Sequence, residues 1–209
     1  MQTEALDELF SAHLRTVAAH TGEALAATGH DALVLHSGGL RTVDFDDYPY
    51  PFKAHAAFKL WAPVTDTPDC FVAFRPGHRP RLLFNRPDDY WHKPAPLPAD
   101  GWTGEFDIEP IADRAAARAA LSPGERVAFI GDATGFDDWG FAAVNPLPLI
   151  TRLDHARARK SPYEIACLRA ANRLGARAHL AAARAFQGRE SEFGIAMAFL
   201  SAIAAREQE

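Results

Sequence analysis

The sequence predicts an α/β fold built on a mixed sheet. Three observations lead there. Short runs rich in β-branched and aromatic residues recur between Gly, Pro and Asp punctuation. Stretches with helical apolar spacing frame them. The texture of the chain then changes near residue 155, where strand signals stop and Ala, Arg, Leu and Glu take over.

Taken in order, residues 4–28 carry Leu6, Phe10, Leu14, Val17 and Leu25 at helical spacing and end on TGHD, which predicts an amphipathic helix with a glycine stop. ALVLH (32–36), CFVAF (70–74), RLLF (81–84), FDIEPI (106–111) and RVAFI (126–130) read as strands. ADRAAARAALS, between the last two, is a helix by Ala and Arg propensity. The helix-free stretch from 70 to 111 predicts hairpins, so antiparallel and parallel pairs should share one sheet. Farther on, Ser161, Pro162 and Glu164 fit a capping box that opens a long helix carrying Ile165, Leu168 and Phe186, with Gly188 as its stop. Phe193, Met197, Leu200 and Ala204 mark a second helix. Two such helices with nothing but the α/β domain to pack on suggest the front part of something larger.

Composition narrows the function. At 209 residues, 48% hydrophobic and 23% charged, the chain can bury a good-sized core and has no signature of disorder. A net charge of -5 without a basic stripe argues against a nucleic-acid partner. Apolar stretches fall short of the ~20 residues that span a bilayer, and Met1-Gln2-Thr3-Glu4 lacks the basic start of a signal peptide, so the cytoplasm is expected. Cys70 and Cys167 form no CxxC and read as free thiols.

The residues by themselves offer little chemistry. There is no HExxH, HxH or Cys/His cluster among the nine histidines. Asp44, Asp46 and Asp47 resemble the start of a calcium loop, but Tyr48 and Pro49 stand where that loop needs an oxygen ligand and Gly, so a solvated acidic turn is the better reading. GDATG (131–135) lacks the GK[ST] of a phosphate loop and reads as a turn. Ser37 follows His36 on a strand, where neighbours face opposite ways, so the pair is no nucleophile and base. In DDYWHKP (88–94), Tyr90 and Trp91 are expected to bury against the sheet or a partner subunit, leaving His92 exposed.

The ordered set LVLHSG, FDDYPYPFK, FKLWAPV, DDYWHKP, FIG, SPYEIACLRAAN and SEFGIA resembles the bacterial Xaa-Pro dipeptidases of the PepQ type. These are prolidases of the creatinase and aminopeptidase P superfamily, with the organophosphorus acid anhydrolases as near relatives. The resemblance covers essentially the whole chain, and DDYPYPFK with DYWHK is its most specific part. Gly194 departs from it, standing where relatives tend to have Asp.

The resemblance implies a creatinase-type amino-terminal domain over residues 1–155, with a mixed sheet flanked by helices. Residues 156–209 would then be the linker and first two helices of a truncated pita-bread catalytic domain. It further implies a homodimeric, Mn-dependent enzyme that cleaves dipeptides ending in proline. Its two Mn(II) ions would sit on two Asp, one His and two Glu beyond this chain, leaving the chain without metal or catalytic residues and inactive alone. The matching positions expected to line the substrate pocket of the dimer partner are Asp47, facing the substrate's α-ammonium, and Trp91, an apolar wall. The rival expectation is a naturally short, non-catalytic binding or dimerisation module of the same fold.

Overall fold

The computed structural model describes residues 2–88, 90, 94–124, 126–132 and 134–204. They fall into two compact units, 1–159 and 160–209.

The first unit opens with α1 (Gln2–Thr28), which buries Phe10, Leu14 and Leu25. Gly29 takes φ 76°, and the His30 N–H closes the end on the Leu25 carbonyl, so the predicted glycine stop is real. The chain continues through β1 (Ala32–His36), a short α2 (Ala56–Trp61), β2 (Phe71–Phe74) and β3 (Arg81–Asn85). A 3-10 turn (Gly101–Glu105) precedes β4 (Asp107–Ile111) and α3 (Arg114–Leu121). Then come β5 (Val127–Ile130), β6 (Ala143–Val144) and α4 (Leu147–Arg157).

Among the described residues one sheet holds six strands in the order β4-β3-β2-β1-β5-β6. The β1–β2 and β2–β3 pairs are antiparallel, whereas β1–β5, β3–β4 and β5–β6 are parallel. The mixed sheet is therefore as predicted, but the hairpin expectation fails at β3–β4. There the chain returns through residues 86–106 to pair Arg81 with Asp107 and Asn85 with Ile111 in parallel.

Both faces of the sheet are covered, which explains why β1 and β5 are buried at every position. Ala32, Val34, Phe71, Val127 and Phe129 point to one face, where Ala117 of α3 joins Phe136 and Trp139. Those two aromatics come from the β5–β6 connection. Their rings meet edge to face at 4.8 Å. On the other face Trp61 of α2 packs on Phe74 with ring centroids 4.7 Å apart. Asp113 caps α3 by accepting the Ala116 N–H at 2.7 Å.

The second unit is a pair of helices, α5 (Pro162–Gln187) and α6 (Glu192–Ile203). The predicted capping box is present. The Glu164 N–H donates to Ser161 Oγ at 3.2 Å and the Ser161 N–H to Glu164 Oε2 at 2.8 Å. α5 ends at Gly188, though the left-handed conformation falls on Arg189, at φ 60°. His179 meets Phe199 edge to face across the pair. Leu168, Leu180, Phe186 and Phe193 remain exposed.

Candidate functional site

The DFDDYPY stretch forms a small hairpin. The Tyr50 N–H donates to the Arg41 carbonyl at 2.7 Å and the Val43 N–H to the Tyr48 carbonyl at 3.0 Å, around a bridge between Thr42 and Pro49. At the tip, Phe45 takes φ 63° and Asp46 Oδ1 accepts the Tyr48 N–H at 3.2 Å, an Asx turn. Asp44, Asp46 and Asp47 are all exposed, as a solvated acidic turn requires. Phe45, Tyr48 and Tyr50 are exposed with them. The hairpin is thus a hydrogen-bonded loop that displays a carboxylate, Asp47, among aromatic rings. Trp91 and His92 lie outside the described residues. Tyr90 does not bury against the sheet; it is exposed on this chain.

The hairpin springs from the carboxyl end of β1, and that end is pinned by a half-buried polar relay that no sequence motif announces. The fully buried His36 ring lies against Phe71 and Phe136, both at 4.8 Å between centroids. A carboxylate can only accept, so His36 Nε2–H donates to Asp69 Oδ1 at 2.9 Å. The same oxygen receives Arg114 Nε at 3.0 Å and Nη2 at 2.8 Å. Burial by itself would raise the Asp69 pKa; the His36 and Arg114 hydrogen bonds and the Arg114 charge outweigh it and hold the carboxyl below its ordinary value.

Ser37 completes this anchor and is no nucleophile. Its hydroxyl donates to the Thr67 carbonyl at 3.1 Å and accepts the Cys70 N–H at 2.9 Å, while its carbonyl takes the His55 N–H. Cys70 is buried, and burial pushes its thiol up to about 12; Cys167 is exposed, and both are free. In GDATG the Asp132 carboxylate accepts the Thr134 N–H. Among the described residues no three His, Cys, Asp or Glu side chains are grouped to hold a metal ion. No helix among them is long and apolar enough to cross a membrane.

Comparison with known proteins sets this geometry in a family. Residues 8–155 match the family described as Xaa-Pro dipeptidase, N-terminal domain. The chain belongs to that family. It is 41% identical over 211 residues to a protein named Xaa-Pro dipeptidase from Erwinia tasmaniensis, covering 99% of this chain and 47% of that one. It is 39% identical over 207 residues to the namesake from Pseudoalteromonas atlantica, covering 96% and 46%. The chain thus spans about half the length of the curated relatives it matches.

Among solved structures, a variant of Escherichia coli aminopeptidase P superposes with a TM-score of 0.61 at 16% identity, over 95% of this chain and 49% of that one. Pseudomonas aeruginosa aminopeptidase PepP gives 0.54 at 19% identity, over 81% and 44%. These likenesses establish the mixed-sheet fold. One E. coli structure is a zinc-substituted enzyme in complex with product, at a TM-score of 0.58 and 14% identity, over 95% of this chain and 49% of that one.

Proposed function

We propose that this chain is the amino-terminal part of a cytoplasmic Xaa-Pro dipeptidase that hydrolyses dipeptides ending in proline. The observation that carries the reading is the 39–41% identity, along nearly the whole chain, to proteins of that name. In this reading residues 1–155 form the amino-terminal domain and 156–209 open the catalytic domain. The protein is a homodimer, and the 42–49 hairpin reaches the partner's active site.

The role of this chain is recognition. Asp47 pairs with the free α-ammonium of the dipeptide, a charge that distinguishes a dipeptide from the interior of a longer peptide. Trp91 supplies an apolar wall. The exposed carboxylate on a hydrogen-bonded hairpin supports the first role, because a fixed backbone loses little entropy when the ligand arrives.

The reaction is assigned to two metal ions, both Mn(II), that would activate water. Among the described residues of this chain no three His, Cys, Asp or Glu side chains are grouped to hold them. The test is proline release from Ala-Pro and Leu-Pro by the full-length protein supplied with Mn(II). Cleavage of both is expected. No cleavage of any Xaa-Pro dipeptide by the folded protein would favour a non-catalytic module instead.

A further inference from the structure

Beside the root of the hairpin lies a cleft of ≈ 350 Å³, within the size range of small-molecule sites. It opens where the carboxyl ends of the parallel strands β1 and β5 separate. The chain leaving β1 turns toward β2, and the chain leaving β5 turns the other way toward β6. A crevice at such a switch point is where open α/β sheets take ligands.

Its walls are built for negative charge. Gly38 and Gly39 after β1, and Gly131 after β5, bring bare backbone to the cleft. Gly131 has no room for a side chain, since a Cβ there would stand 2.6 Å from His36 Cβ. Arg41 and Lys53 line the same space, and neither has an ion-pair partner among the described residues. Arg114, at the same end of the sheet, is by contrast already paired with Asp69.

We propose that this cleft binds a small oxyanion, a phosphate or carboxylate group, between Arg41 and Lys53 and against the Gly38–Gly39 backbone. His55 adds a donor. Its Nδ1 accepts the Ala57 N–H at 3.3 Å, which leaves Nε2 as the protonated nitrogen. Burial, then the charges of His36 and Arg157, lower the His55 pKa against the opposing pull of Asp132 and Asp154, which favours the neutral ring. Asp132 lines the cleft with the opposite charge and sets a ceiling on affinity. Because the Tyr50 N–H donates to the Arg41 carbonyl, the ligand sits at the base of the hairpin that carries Asp47. Anion binding in this cleft requires no peptidase activity.

The test titrates inorganic phosphate, and separately acetate, into the full-length protein at constant ionic strength. Glycine amide resonances and the His55 ring are followed by NMR. Saturable shifts at Gly38, Gly39 and Gly131, with an upward move of the His55 titration midpoint, are expected, since a bound anion favours the charged ring. Arg41→Ser with Lys53→Ser should weaken binding by about tenfold or more, the loss that a charge-assisted hydrogen bond implies. Asp132→Asn should tighten it several-fold. Response to phosphate alone identifies a phosphate site, and equal response to acetate a general carboxylate one. The proposal is overturned if neither anion binds more tightly than about 10 mM, if chloride gives the same shifts, or if the double variant responds like the parent.

Discussion

Asp69 is the residue whose loss the fold should feel most at this end of the sheet, and the relay allows the size to be worked out. Its side chain is 25% exposed, and it satisfies a His36 ring that is fully buried. Asp69→Asn keeps one acceptor oxygen but loses the charge and gives Nε2–H and Arg114 a neutral partner. Exchanging a charged for a neutral hydrogen bond costs about 1 to 2 kcal/mol. Asp69→Ala removes the acceptor altogether. His36 Nδ1 already has no partner, so the ring would then be buried with both nitrogens unmatched. One such orphan costs about 1 to 3 kcal/mol.

The Ala variant carries a second cost. Asp69 sits at φ 55°, where Asp and Asn are tolerated and Ala adds about 1 kcal/mol. The expectation is therefore about 1 to 2 kcal/mol for Asn and about 2 to 4 for Ala, read as the shift in urea midpoint at unchanged slope. The folded-state pKa of Asp69 is depressed, so its contribution is fully present above the unfolded value of ~3.9 and is lost as pH falls through the folded value. The gap between parent and Asp69→Asn should thus narrow in acid. Equal stability of Asp69→Ala and parent at neutral pH, or a gap that widens in acid, would refute the reasoning.

Three further outcomes follow from the geometry. Gly131→Ala should cost about 1 to 3 kcal/mol, because its Cβ would meet His36 Cβ at 2.6 Å and the His36 N and O at 3.2 Å, at φ 155°; thermal unfolding measures it, and a neutral effect would show that the β1–β5 ends are loosely packed. A thiol reagent at neutral pH should label the exposed Cys167 and spare Cys70 until the protein unfolds, since burial raises the Cys70 pKa to about 12; two fast thiols would contradict the buried placement. Ser161→Ala should weaken the start of α5 by about 1 kcal/mol, seen as faster amide exchange in its first turn, and unchanged exchange there would deny the capping box a role.

What the sequence discloses follows a physical pattern. α1, the longer strands and both helices of the second unit are legible because their apolar spacing or caps are local signals. The six residues of α2 are too few for periodicity, and the cap is a histidine, His55. α4 starts at Leu147 behind an N-cap, Pro146, that makes no side-chain cap hydrogen bond, and β6 has two residues. The parallel return of β4 escapes a reading by pattern because, among the described residues, its connection carries a 3-10 turn and no long helix to announce a crossover. His36, Asp69 and Arg114 lie 33 and 45 residues apart in successive steps, so no motif joins them before the sheet does. The acidic turn is readable from its own residues, whereas a substrate role for Asp47 and Trp91 comes from resemblance alone.

The proposed role of Asp47 is tested most directly by kcat/KM of the full-length Asp47→Asn variant, measured side by side on an Xaa-Pro dipeptide and on the same dipeptide with its amino group acetylated. Losing one member of a partly desolvated charge pair costs about 2 to 5 kcal/mol, so the free dipeptide should suffer a drop of at least about thirtyfold. The acetylated substrate, with no ammonium to pair, should be far less affected, with fold and metal content unchanged. A parallel Trp91→Ala variant should impair both substrates, as loss of an apolar wall does. If Asp47→Asn leaves the ratio between the two substrates where it was, Asp47 is a turn residue and the hairpin does not read the amino terminus.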